Sequence, residues 1–334
     1  MDEGEQRRTW ASGWRRVTAA VALALVIALG GYGLIAAMDP DRGLVSVTFL
    51  LILPAAICAL ACYVADPWAQ RRMGAYLLMP VWLLLAVIVA SGFILHEGVV
   101  CVLMLSPLWL ISGMGGAALT HRLRRRLDGK GRAYCSALLV LPLVAMQVEP
   151  MLPVPQEERA VVRSIVIDAP PQAIWPLLRG IPDVKPGEGA WNFSQDLAGI
   201  PRPLGASLFG EGVGAERRAN WGGQVRFRER ITEWQPGSRI GWRFIFDDLD
   251  GWRFTDRHMV PDSPYFRVTR GGYTLEPLPG GRSRLTLDTH YWMKTHLNGY
   301  AALWGEVFLG DLHANLLALV KQRAERPSPP SLRP

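Results

Sequence analysis

Three side chains stand where chemistry would need them. Glu229 lies in GGQVRFRERITEW, where Val225, Phe227, Glu229 and Ile231 alternate with Arg226, Arg228, Arg230 and Thr232. Alternation of this kind marks a strand with one buried face. An acid on that face is either paired with an inter-strand arginine or working, since an unpaired buried carboxylate is costly. Asp311 belongs to a second pattern. Tyr300, Trp304, Phe308, Asp311 and Asn315 step by helical intervals, so the acid interrupts an aromatic stripe. It would either anchor a ligand head group or act as a general base if burial raised its pKa, or else hold a neighbouring loop by a hydrogen bond. The third is His258, in a DDLDGWRFTDRHMVPDSP turn. These three are the candidate acids and bases.

Other chemistries lack their signatures. The four cysteines, Cys58, Cys62, Cys101 and Cys135, all lie in apolar runs. That leaves no disulfide framework or zinc spacing in the C-terminal half. Cys58 and Cys62 stand i,i+4 on one helix and read as small residues at a helix contact. His290, His296 and His313 read as outward-facing, and no two histidines have metal-ligand spacing with a carboxylate nearby. GEGVG at 210–214 suits a strand turn better than a phosphate loop. No G-x-S-x-G occurs. We therefore expect no metal and no cofactor.

The elements that hold these residues begin at Val161. VVRSIVIDA reads as a strand, ended by Pro170–Pro171, with the second proline opening the helix QAIWPLLRG. Residues Ile181–Pro203 form a long Gly/Pro-rich stretch carrying Trp191, the kind of segment that serves as a lid or is disordered. Strands dominate after Leu204. SRIGWRFIF puts Ile240, Trp242, Phe244 and Phe246 on one face. Two more strands, one carrying Tyr273, flank the turn LPGGR. Gly271–Gly272 is expected to mark a bulge. A helix over Gly299–Ala324 follows, then a Pro/Ser tail, 325–334, expected to be disordered.

The first half is different. Apolar runs cover Val17–Met38, Leu44–Ala65, Gly74–Leu95 and Gly98–Leu119. Each is long enough, at about 1.5 Å per residue, to cross a hydrocarbon core of about 30 Å. Arginines precede the first run (Arg7, Arg8, Arg15, Arg16), follow the second (Arg71, Arg72) and follow the fourth (Arg122, Arg124, Arg125 and Arg126, with Lys130 and Arg132). Positive loops stay cytoplasmic, so the segment 1–16 is expected inside. A shorter run, Ala133–Gln147, contains Pro142 and reads as a fifth crossing. It would put everything beyond it outside the cytoplasm, in the periplasm if the cell is a Gram-negative bacterium. No Asp, Glu, Lys or Arg falls mid-run, which argues against a pump or channel. The net charge of +7 includes no dense basic tract in the C-terminal half, so nucleic acid is not expected as a partner.

The expected organisation is an N-terminal all-α transmembrane bundle of about five helices over 17–149 and a linker over 150–160. An α+β domain follows over 161–324, a curved antiparallel sheet on a long C-terminal helix. SIVIDAPPQAIWPLL, EGVGAERRANWGGQVRFRERITEWQPGSRIGW and GGYTLEPLPGGRSRLTLDTHYW with its following helix together resemble the START-like, helix-grip superfamily, also labelled SRPBCC or polyketide cyclase/dehydrase and lipid transport. The resemblance covers about half the chain. It implies a cavity for a hydrophobic ligand but not one reaction. The residues expected to line it are Trp191, Phe227, Glu229, Trp242, Phe244, Tyr273, Tyr300, Trp304, Phe308 and Asp311. Three functions fit: a membrane-anchored, non-catalytic binding module for a lipid or other hydrophobic small molecule; a cyclase or hydratase acting on an apolar substrate; or an envelope protein presenting a partner-binding domain. The partners expected are membrane lipid and a hydrophobic small molecule, with any protein partner unknown.

Overall fold

A computed structural model describes residues 46–66, 68–94, 99–126, 131–252 and 260–326, with isolated positions between 15 and 30. The first apolar run and the C-terminal tail lie outside these residues almost entirely. The chain divides into two compact units, 1–154 and 155–334.

In the first unit a π-helical turn, Thr48–Ile52, leads into α1 (Leu53–Ala65), followed by α2 (Met73–Ile94), α3 (Val99–Arg126) and α4 (Gly131–Val148). Thr48–Ala65 and Val102–Arg126 are long and apolar enough to cross a membrane, while Met73–Val89 and Val140–Met151 are shorter apolar helices. α1 and α3 run side by side in the same direction. Ser112 donates its hydroxyl proton to Leu51 O, and Arg124 donates to Tyr63 O at 3.3 Å. Small residues make the approach possible, since a Cβ on Gly116 would lie 2.2 Å from Ala55 O. α4 runs opposite to α1. The Glu149 carboxylate beyond its end accepts from Val47 N, Thr48 N and Ser46 Oγ at 2.6–3.0 Å, capping the start of the α1 segment. At the other end of α1, Asp66 accepts from Gln70 N, Arg71 N and Tyr76 Oη, each at 3.0 Å.

The second unit contains β1 (Gln156–Ile167), α5 (Pro171–Arg179), a short α6 (Phe193–Asp196), β2 (Pro203–Phe209), β3 (Glu216–Trp221), β4 (Arg226–Gln235), β5 (Arg239–Ile245), β6 (Phe266–Leu278), β7 (Arg282–Lys294) and α7 (Asn298–Ala324). The strands form one antiparallel sheet in the order β1-β7-β6-β5-β4-β3-β2. One face carries the core. Ile167, Ile231, Ile240, Leu275, Leu285 and Leu287 are buried there with Ile174 and Leu178 of α5 and Leu317, Leu319 and Val320 of α7. α7 is long and apolar enough to span a membrane by composition. Its buried side chains nevertheless lie in this core, which is why we assign it to the sheet domain. Two glycines bring α7 close to the sheet. A Cβ on Gly305 would meet Tyr291 Oη at 2.5 Å, and one on Gly310 would meet Arg163 Nη2 at 2.7 Å.

Two expectations change. The bulge in β6 lies between Val268 and Arg270, not at Gly271–Gly272. The two glycines serve close packing instead: the rings of Trp242 and Phe244 lie over Gly271, and the Arg239 guanidinium lies over Gly272 on the other face. His313 is not exposed but buried at 2% exposure, because α7 is covered on more than the side its aromatic stripe defines. His290 keeps the outward face of β7, half-exposed and within 4 Å of Glu158 and Asp288.

Candidate functional site

The alternation in β4 and β5 does place Phe227, Glu229, Trp242 and Phe244 on the core face. Register lines them up across strands: Arg217 faces Glu229, and Glu229 faces Phe244. Ile231 faces Trp242, which faces Gly271. The result is a connected aromatic strip. The Phe227 ring centroid lies 5.8 Å from those of both Phe244 and Phe246, and 6.0 Å from that of Trp221. Trp242 touches Phe244 at 6.1 Å and Tyr273 at 5.4 Å. Trp242 and Tyr273 are buried, whereas Phe227, Phe244 and Phe246 are half-buried. The strip therefore runs from the core outward to a half-buried end, where Trp252 packs against Phe227 and Phe246. On α7, Tyr300, Trp304 and Phe308 form a second half-buried row, with Trp304 and Phe308 stacked at 5.2 Å.

Each described acid among the candidates is held by the protein. Glu229, 4% exposed, is ion-paired with Arg217, itself 6% exposed. Arg217 also donates from Nη1 to Leu178 O at 2.7 Å, and its guanidinium carbon sits 4.2 Å above the Trp242 ring. Burial pulls the Arg217 pKa down, but the Glu229 carboxylate outweighs it and the net shift is upward. Burial pushes the Tyr273 phenol up to about 12, so the strip contains no ionisable hydroxyl near neutral pH. Asp311 accepts from Ser194 N at 2.9 Å and Ser194 Oγ at 2.6 Å. That is the loop-holding role, and Asn315 extends it by accepting from Ala190 N and donating to Gln195. Glu188, paired with Arg323 and Arg326, adds a further clasp and is held at about 2, first by its hydrogen bond from Arg323. The stretch 181–203 is thus a strapped loop containing α6, and Trp191 stands on its outside at 71% exposure. His258 lies outside the described residues. Among those residues no group of three or more His, Cys, Asp or Glu side chains could hold a metal ion.

Sequence reasoning did not single out Arg217, Ser194, Thr289 or His313 in these roles. Arg217 had a signal: it and Ala219 alternate with Arg218 and Asn220 in ERRANW, so one arginine of β3 had to point inward. His313 shares a 2.8 Å hydrogen bond with Thr289 Oγ1. Burial lowers its pKa to about 4, with Arg163 adding to the shift and Asp288 opposing it. An unfolded histidine titrates near 6.5, so between roughly pH 6.5 and 4 the unfolded chain binds this proton more readily. Stability of the second unit should fall as pH drops through that window, by on the order of 2 kcal/mol. Urea unfolding at pH 7 and pH 4.5 checks this, and His313→Asn should flatten the difference.

Against known proteins, residues 158–325 match the family model described as polyketide cyclase/dehydrase and lipid transport. The chain belongs to that family. Among solved structures it is similar to truncated norcoclaurine synthase from Thalictrum flavum, at 12% identity and a TM-score of 0.32, with 53% of this chain and 98% of that one covered. It is also similar to the Zhui aromatase/cyclase from Streptomyces sp. R1128, at 14% identity and a TM-score of 0.31, with 50% and 94% covered. Likenesses this distant carry no inference about activity. No curated protein matches the sequence significantly. Within this family, a seven-stranded antiparallel sheet holding a long C-terminal helix is the helix-grip arrangement expected from the sequence.

Proposed function

We propose that this family member is a membrane-anchored, non-catalytic binding module for a lipid or other hydrophobic small molecule, used in sensing or transfer. The observation that carries the reading is the aromatic strip on the core face of the sheet, half-buried at its outer end, beside acids already committed to protein partners. Phe227, Phe244, Trp242 and Tyr273 would contact the ligand from the sheet and Tyr300, Trp304 and Phe308 from α7. Acid–base catalysis is disfavoured because Glu229 and Asp311 would each have to break a structural bond to act. If the full chain is purified in detergent and extracted with organic solvent, mass spectrometry should recover a near-stoichiometric apolar compound. Recovery of none, across several detergents, counts against the proposal.

The anchoring half of the proposal places the bundle over 17–149 in the inner membrane of a bacterium, the linker over 150–160, and the sheet domain over 161–324 outside the cytoplasm. Two features support it. Arg71, Arg72, Arg122, Arg124, Arg125 and Arg126 cluster at one end of the bundle, where positive charge stays cytoplasmic. Glu149 meets the opposite end of the α1 segment, so α4 travels as far as α1 before the chain leaves. A reporter enzyme active only outside the cytoplasm, fused after Arg326, should be active. A reporter active only inside should be silent there.

A further inference from the structure

Two polar atoms in the core of the second unit have no hydrogen-bond partner among the described residues. Trp242 on β5 is 3% exposed, and its indole Nε1–H finds no acceptor. His313 on α7 is as deeply buried; its Nε2 is shared with Thr289 Oγ1, and its Nδ1 finds nothing. The register sets Trp242 and the threonine bonded by His313 on one row. Trp242 faces Gly271 on β6, and Gly271 faces Thr289 on β7. Neighbouring strands lie about 4.8 Å apart, so Trp242 and Thr289 stand roughly 10 Å apart on the same face. The residue between them has no side chain. A Cβ on Gly271 would lie 3.3 Å from Trp242 Cε2, the ring atom bonded to Nε1. The ring junction of the indole, the atom that carries Nε1, therefore lies over Gly271, on the row that leads to Thr289.

Buried polar groups in folded proteins are paired with few exceptions, because an unpaired one has given up water and received nothing in return. The Trp242 indole N–H, at the inner end of an aromatic strip, marks a place where a ligand supplies the hydrogen bond. We propose that the Trp242–Gly271–Thr289 row is a polar subsite that takes an uncharged oxygen, a carbonyl or a hydroxyl, of an otherwise apolar ligand. The inference rests on the binding function proposed above and names the class of molecule bound. Trp242 can only donate. A charged head group does not fit. The cation stacked on the same indole, Arg217, is already neutralised by Glu229, so a carboxylate or ammonium buried there would bring an uncompensated charge.

The test uses the full chain in detergent and two probes of nearly equal size, 2-acetylnaphthalene and 2-ethylnaphthalene. They differ by a carbonyl against a methylene. Affinities are each normalised to the probe's hexadecane–water partition. The ketone should then be preferred by about tenfold, equivalent to about 1.4 kcal/mol. Trp242→Phe should remove most of that preference, whereas Leu303→Ala on the exposed face of α7 should keep it. Equal normalised affinities in the unaltered chain would overturn the subsite alone, reducing it to a place for a structural water. Failure of both probes to bind would overturn the binding function with it. If Trp242→Phe does not fold, the unaltered chain still decides through the infrared stretch of the bound, carbonyl-labelled ketone. A hydrogen-bonded carbonyl absorbs below its position in hexane, and absorption at the hexane position refutes the assignment.

Discussion

Arg217→Ala should destabilise the second unit by about 3–5 kcal/mol, the largest effect expected of any single replacement on the sheet's core face. The reason is not the strength of the Arg217–Glu229 attraction. Both partners are stripped of water, and the attraction does little more than offset that cost. Removing the guanidinium leaves the Glu229 carboxylate buried among Phe227, Ile231 and Phe244 with its charge uncompensated. It also withdraws the donor to Leu178 O and the cation lying on the Trp242 ring. The discriminating experiment is the double replacement Arg217→Met with Glu229→Leu. Chemical denaturation should find the double variant much closer to the unaltered chain than either single variant, because the apolar pair leaves no charge behind. If the double variant is as unstable as Arg217→Ala, the ion pair itself is a net source of stability and the account above is wrong.

The second large effect belongs to the bundle. Gly116→Leu should force α1 and α3 apart, at a cost of about 3 kcal/mol, the upper end of the usual overpacking range. A side chain there would begin 2.2 Å from the carbonyl oxygen of Ala55, 2.8 Å from its carbon and 2.9 Å from its Cα. Backbone atoms in a helix cannot turn aside as a flexible side chain can. The neighbouring residue supplies the control. A Cβ on Gly115 would have nothing within 4 Å, so Gly115→Leu should be tolerated. Thermal aggregation of the detergent-solubilised chain, followed by light scattering, should separate the two variants clearly. Equal behaviour would mean that α1 and α3 do not approach as described.

The sequence was informative where a pattern repeats and silent where a partner comes from elsewhere in the chain. The two-residue alternation in β4 located Glu229 on the core face and even framed its two fates, an arginine partner or a working role. It could not name Arg217, because that depends on the register set through the turn at Gly222–Gln224. The helical spacing in α7 put Asp311 and Asn315 together, and the structure shows both holding the loop at 190–195. The same spacing misled for His313, which lies on another side of α7 from the aromatic stripe and is covered because the helix is buried on several sides. Gly271 and Gly272 advertised a backbone irregularity when their use was to admit Trp242, Phe244 and Arg239. A glycine's reason lies in its neighbours across the sheet, and one strand's sequence does not contain them.

The order of the strands also bears on how the protein is made. β1 is the first strand to leave the ribosome, yet its partner is β7, the last, and paired residues lie roughly 120–140 positions apart. At about 5–20 residues per second, β1 waits on the order of ten seconds for a strand to pair with. Throughout that interval a stretch as apolar as VVRSIVI has nothing to cover it. Synthesis speed and holding factors near the nascent chain should therefore govern the yield of this protein more than its final stability does.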